Sequence, residues 1–193
     1  MAGQLNDGGV IMGKTVLVPV AQGIEEMEAI TIIDVLRRAG ADVVVASVDD
    51  LTIKAARGIE FKADCLIKDC REQTFDLIVL PGGIPGADNL KNSQALADLL
   101  KKQAAQKKLY GAICASTAGV LHALGLVTPG AVTCHPGFAG RIEGGTIQDR
   151  NVVIDGPCIT SKGAGTALEF ALTLVRQLFD DKVLADVKGG LAL

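Results

Sequence analysis

The stretch TVLVPVAQGIEEMEAITIIDVLRRAGADVVVASV, residues 15–48, decides the fold. Thr15–Val20 is short, apolar and β-branched, as a strand buried on both faces is. Glu25–Ala39 places Met27, Ile30, Ile33 and Leu36 or Arg37 near one helical face, and Gly40 stops it. Asp42–Val48 is apolar again. A strand, a helix and a strand without a hairpin turn make a βαβ unit, so the strands are parallel. The alternation recurs downstream. Asp76–Leu80 reads as a strand ended by Pro81-Gly82-Gly83. Ser93 caps a helix predicted to run to about Lys108, with Lys101, Lys102, Lys107 and Lys108 suiting its negative end. Leu109–Ile113 is a strand, and Ala115–Leu124 a helix stopped by Gly125. Val152–Ile154 and Cys158–Thr160 flank a turn at Asp155-Gly156-Pro157. Gly163–Phe179 is a helix with Leu168, Leu172, Val175 and Phe179 stacked, and Asp181–Val187 is a last short one. Ile53–Ile67 reads as a small antiparallel edge hairpin. The expected class is α/β: a flavodoxin-like, doubly wound, mostly parallel sheet with helices on both faces.

Composition narrows the function. The chain has 193 residues with 19 Lys+Arg, 22 Asp+Glu and a net charge of −3. That balance gives no basic face for nucleic acid. Residues 14–193 suit one domain. Residues 1–13 carry no Lys or Arg and no apolar run, so they match neither a signal nor a transit peptide. They read as a disordered extension or a cloning remnant, with Met12 an alternative start. No run reaches the ~18 apolar residues of a membrane span. Five cysteines, an odd and modest count, suit a reducing cytoplasm rather than a disulfide scaffold. No spacing among Cys65, Cys70, Cys114, Cys134 and Cys158 forms a zinc pattern, so no metal or cofactor is expected. The Cys65-x4-Cys70 pair reads as incidental.

In open parallel sheets, ligands sit beyond the carboxyl ends of the strands. Cys114 ends an apolar strand and opens a run of small residues, the layout of a nucleophile elbow. A helix N-terminus there favours the thiolate. The alternative is a cysteine that fills space. Gly82-Gly83 follows strand and proline, where backbone N–H groups can face an oxyanion or a phosphate, or simply turn the chain. Glu25 and Glu28 share a helix face. Glu25 and Glu26 read as complements to the helix dipole. Glu28 reads either so or as a partly buried acid that holds a proton for the sulfur. His122, mid-helix, reads as structural. His135, in a loop beside Cys134, is the better candidate to assist chemistry.

These segments resemble the ThiJ/PfpI superfamily, in the branch of the parkinsonism-associated protein deglycase (DJ-one) and its bacterial relatives. The likeness spans about Lys14 to Lys188. It rests on GIEEMEA at 23–29, DVLRRAGADV at 34–43, DLIVLPGG at 76–83, GADNL at 86–90, AICAS at 112–116, CHPG at 134–137 and TSKGAGTALEFAL at 160–172. The resemblance implies a flavodoxin-like fold and a homodimer. It implies Cys114 as nucleophile, Glu28 as the protonated partner of its thiolate, His135 nearby, and Gly83 and Ala115 as oxyanion donors. It implies Arg57 as an arginine reaching the site from the partner subunit, with Arg38 near it. Four positions depart from the pattern: Ala115, where the protease-like branch has a histidine; Ser116 and Thr117, where relatives often have Gly-Pro or Ala-Pro; and Cys134, where threonine is more usual.

The implied activity is a cofactor-free glyoxalase III or deglycase reaction on small α-oxoaldehydes such as methylglyoxal, in protection against carbonyl and oxidative stress. The alternatives are a redox sensor or chaperone signalled by oxidation of the same cysteine, and a small amidase or peptidase, which Ala115 disfavours.

Overall fold

The computed structural model describes residues 13–193. The expectation for the N-terminal extension therefore lies, but for Gly13, outside the described residues. In chain order the elements are β1 (Thr15–Val20), α1 (Glu26–Arg38), β2 (Asp42–Ser47), β3 (Thr52–Lys54), β4 (Glu60–Lys62), β5 (Cys65–Leu66), β6 (Leu77–Leu80), α2 (Gly86–Lys91), α3 (Gln94–Ala105), β7 (Leu109–Ile113), β8 (Val152–Asp155), β9 (Cys158–Ser161), α4 (Ala167–Leu178) and α5 (Asp181–Gly190). The main sheet runs β5-β2-β1-β6-β7-β9-β8. All its pairs are parallel except β8 with β9. This is the α/β, flavodoxin-like arrangement expected.

The apolar runs explain the strands. Val16, Leu17, Val18 and Val20 in β1 and Leu77 to Leu80 in β6 are buried. A strand covered on both faces has no polar alternation. The chain leaves β1 for β2 on one side, then returns to β6 on the other. Right-handed crossovers that diverge in this way put their helices on opposite faces. They also open a crevice between the carboxyl ends of β1 and β6. α4 packs beside α1. Its Phe170 is fully buried and reaches over Gly111 of β7, where an added Cβ would stand 2.4 Å from the Ile159 carbonyl oxygen and 3.4 Å from the Phe170 ring. Glycine there lets helix and sheet close up.

Several boundaries differ from the expectations. In α1 the buried face is Glu28, Ala29, Ile32, Ile33, Val35 and Leu36, while Met27 and Ile30 are 60% and 44% exposed. The stripe that packs on the sheet is Ala29, Ile32, Ile33 and Leu36, rotated from the expected one, and Glu28 lies on the same buried side. α3 ends at Ala105, and Lys107 turns left-handed at φ 54°, so Lys107 and Lys108 lie past the helix. The segment after Cys114 is wound as a π-helix over Thr117–His122. Ala164–Thr166 forms a separate 3-10 turn before α4, whose buried face is Ala167, Phe170, Ala171, Leu174, Val175 and Leu178. Leu168 is exposed there. Of the expected Ile53–Ile67 hairpin, β3 and β4 form a separate two-stranded sheet, while β5 leaves it to pair with β2.

Emptying the position under α4 tests this packing. Phe170→Ala is expected to cost about 3–5 kcal/mol, read as a lower urea midpoint at an unchanged slope. A cost near zero would mean that this ring does not hold α4 on the sheet.

Candidate active site

Cys114 stands at the turn out of β7 with φ 62°, a left-handed conformation that non-glycine residues avoid. Its own N–H donates to the Ser161 carbonyl, continuing the β7–β9 ladder one residue past the strand. The following residues brace the strained turn. The Ser116 hydroxyl donates to the Pro81 carbonyl at 2.6 Å, and the Thr117 hydroxyl to the Ala112 carbonyl at 3.1 Å. Both are buried. Where the resemblance implies Gly-Pro or Ala-Pro, this chain ties the elbow to the β6 loop through the Ser116 hydroxyl and to β7 through the Thr117 hydroxyl.

Glu28 is fully buried in the first turn of α1. Its Oε2 accepts the Gly82 N–H at 2.7 Å. Its Oε1 meets no conventional donor among the described residues and interacts with the Cys114 thiol. Burial, the largest influence, pushes the Glu28 carboxyl up to about 7, against the opposing pull of the Gly82 N–H and Cys114. Since Oε2 is already an acceptor, a proton on Glu28 belongs on Oε1, facing the sulfur.

The sulfur feels opposing influences. Burial and the charge of Glu28 push the Cys114 thiol up to about 12, while the N–H groups of Ala115 and Gly83 pull it down. Helix position alone predicts only the lowering. The two groups compete for one proton, so protonating Glu28 removes the repulsion and lets its O–H donate to a thiolate. Close approach makes glycine necessary opposite them. A Cβ on Gly82 would stand 2.7 Å from the Cys114 Cβ and 2.9 Å from Glu28 Oε2. Gly83, at φ 91°, would put one 2.4 Å from the Glu25 nitrogen.

His135 joins the same place. Its Cδ2, the Cys114 sulfur and Glu28 Oε1 lie 3.4, 3.8 and 3.9 Å from the point where a Cβ on Gly163 would stand. Its Nδ1 accepts the Gly137 N–H at 3.1 Å, which leaves Nε2 to carry the proton of the neutral ring. No hydrogen bond links His135 to Cys114 among the described residues. His122 is tied elsewhere, accepting the Glu143 N–H at 3.2 Å.

A cavity of about 590 Å³ opens over these groups, lined by Glu25, Glu28, Arg57, Gly83, Cys114, His135 and Lys162 among others. That size suits a small-molecule site. Arg57 lines it from its own chain. Its backbone is held by the Glu26 carboxylate, whose Oε1 accepts the Arg57 N–H at 2.8 Å. Glu26 is 4% exposed. It holds the Arg57 backbone in addition to standing in the first turn of α1, where dipole complementation was expected. Glu25 does act locally, capping α1 by accepting the Glu28 N–H at 2.7 Å. Arg38 lies ten residues along α1 from Glu28, roughly 15 Å at helical rise, and pairs with Asp34. Lys162, just past β9, lines the cavity and ion-pairs with Asp149 at 2.6 Å. Sequence reasoning passed over Lys162, although its place after a strand end was the available signal. Among the described residues no group of three or more His, Cys, Asp or Glu is gathered to hold a metal ion, and no helix is long and apolar enough to cross a membrane.

A flavodoxin-like sheet carrying a strained elbow cysteine beside a buried glutamate defines a class of cysteine-centred α/β proteins. The chain belongs to the DJ-1/PfpI family, whose model matches residues 14–177. It is 43% identical over 182 residues to Protein DJ-1 homolog B of Arabidopsis thaliana, covering 93% of this chain and 42% of that protein. It thus spans less than half the length of that plant relative. Glutathione-independent glyoxalase DJR-1.2 of Caenorhabditis elegans is 44% identical over 156 residues, covering 80% of this chain and 82% of its own. The solved structure of oxidized Toxoplasma gondii DJ-1 superposes with a TM-score of 0.90 at 41% identity, covering 93% and 98% of the two chains.

The Glu28 proton makes stability depend on pH. The folded chain holds it up to about pH 7, against 4.5 for an ordinary glutamate. Because folding raises this value, the Glu28 contribution is full below about 4.5 and is lost as pH rises through about 7. The loss amounts to about 3 kcal/mol at most. Glu28→Gln is expected to flatten that fall, read from urea midpoints between about pH 4.5 and pH 8. Equal slopes in both proteins would show that Glu28 ionises normally.

Proposed function

We propose that the chain is a cysteine-dependent, cofactor-free enzyme of the glyoxalase III or deglycase type, converting methylglyoxal and glyoxal to hydroxyacids. The observation that carries this reading is the buried Glu28 carboxyl, pushed up to about 7 and with Oε1 unpaired among the described residues, standing with the Cys114 sulfur at the floor of the cavity. A thiolate made there by moving the proton to Glu28 attacks the aldehyde carbon and forms a hemithioacetal. The Gly83 and Ala115 N–H groups, already turned to the sulfur, are placed to stabilise the adjoining alkoxide. Glu28 passes the thiol's proton to that alkoxide and, again a carboxylate, takes the proton from the former aldehyde carbon and returns it to the neighbouring carbon, while the hydroxyl proton moves to the former keto oxygen. This leaves a thioester, and the former keto oxygen becomes a hydroxyl. Water then cleaves the thioester, with His135 assisting, and releases lactate from methylglyoxal. The glyoxalase named among the relatives supports the reading. The homodimer and a cytoplasmic setting belong to it on the strength of the family likeness.

A second reading, a redox sensor or chaperone signalled at Cys114, is favoured by the same N–H donors, which suit the oxygens of a sulfinate. An amidase or peptidase is disfavoured, because Ala115 stands where an adjacent base would and, among the described residues, His135 makes no hydrogen bond to the thiol.

Methylglyoxal consumption in glutathione-free buffer tests the enzyme reading. Cys114→Ser is expected to fall to background and Glu28→Gln to lose roughly 100-fold or more. Wild-type rates in both variants would sink it. The sensor reading requires Cys114 to be the first thiol to gain oxygens under graded peroxide.

A further inference from the structure

Two cysteines far from the elbow stand together. The sulfurs of Cys65 and Cys70 are 3.6 Å apart. Cys65 lies on β5, the two-residue strand at the outer edge of the sheet, and is partly exposed. Cys70 ends the 3-10 turn Ile67–Cys70 and is fully buried. That turn folds the chain back so that residues five apart converge. We propose that Cys65 and Cys70 form a second thiol site, which hydroperoxides oxidise to an intramolecular disulfide without involving Cys114.

The two positions divide the work. Cys65 is the sulfur a small peroxide can reach. Cys70 is shielded from solvent and touches its partner, so it meets an oxidised Cys65 before a second peroxide does. Burial and the neighbouring Cys65 push the Cys70 thiol up to about 12, which suits it to resolve an oxidised partner and not to act as the first nucleophile. In the first step the Cys65 thiolate attacks one oxygen of the hydroperoxide. The O–O bond breaks and yields a sulfenic acid and, after protonation, an alcohol. In the second step the Cys70 sulfur attacks the Cys65 sulfur. The S–S bond forms, and the sulfenic hydroxyl leaves as water with the Cys70 proton. Two thiols and one hydroperoxide thus give one disulfide, one alcohol and one water.

Bonding requires the sulfurs to approach by about 1.5 Å, from 3.6 Å to the disulfide length of about 2.05 Å. The site can give that distance, since β5 is paired on one side only. It is also remote from the elbow. β7 lies four strands from β5 in the sheet, roughly 19 Å at ordinary strand spacing.

Tryptic mapping reads the bond directly. Cleavage after Lys62, Lys68 and Arg71 puts Cys65 in ADCLIK and Cys70 in DCR. The two peptides stay together only through a disulfide. The full chain is treated with graded hydrogen peroxide, denatured in iodoacetamide, digested and weighed. Linked ADCLIK–DCR is expected to become the dominant form of both peptides, to revert with dithiothreitol, and to form equally in Cys114→Ser. It is expected to vanish in Cys65→Ser and in Cys70→Ala. Separate, alkylated peptides at peroxide levels that already convert Cys114 to sulfinate would overturn the proposal. So would pairing of either cysteine with another thiol, or loss of the link in Cys114→Ser. None of these readouts depends on methylglyoxal turnover.

Discussion

The bond from the Gly82 N–H to Glu28 Oε2, 2.7 Å long and buried, ties the helix after β1 to the loop after β6. It crosses the place where the strand order reverses, and the site is assembled around it. Because that oxygen is occupied, the remaining one faces the thiol. Because Gly82 passes so near Cys114 and Glu28, no side chain fits on it. Because the carboxyl is buried, it keeps a proton near neutral pH. An acid in such a place is a local cost to the fold, of the kind that clusters at functional sites.

The bond acts within a set of braces, each supplied by a different strand end. Ser116 fastens the elbow to Pro81. Glu26 fastens the Arg57 turn to α1. Asp149 holds Lys162 at the cavity rim. Two cations and two acids therefore face one cavity, and only Glu28 among them is fully buried. Rigid positioning of this kind suits the proposed proton transfer, since transfer demands contact within hydrogen-bond reach.

The same sheet separates two kinds of thiol. The carboxyl ends of the central strands hold Cys114 among N–H donors, with a proton-bearing acid beside it. The outer edge holds Cys65 and Cys70, with only each other as thiol partners. Chemistry on carbon suits the first setting, and sulfur–sulfur bonding the second.

By itself the sequence determined the order of strands and helices, because runs such as TVLVPV and DLIVL have no polar face and can only be buried. It also placed Cys114, Gly83 and Glu28 at strand ends, which parallel topology sends to one side of the sheet. Tertiary structure decided the rest. Which apolar stripe of α1 is buried, Ala29, Ile32, Ile33 and Leu36 beside Glu28 and not Met27 and Ile30, is settled by how the helix packs on the sheet. The role of Glu26 depends on a hairpin 31 residues away, and that of Lys162 on which strand lies beside β7. The Cys65–Cys70 contact, which looked incidental from its spacing, depends on one 3-10 turn. Local pattern records what each segment must bury. Which buried groups meet is a property of the packing between segments, and a linear pattern does not contain it.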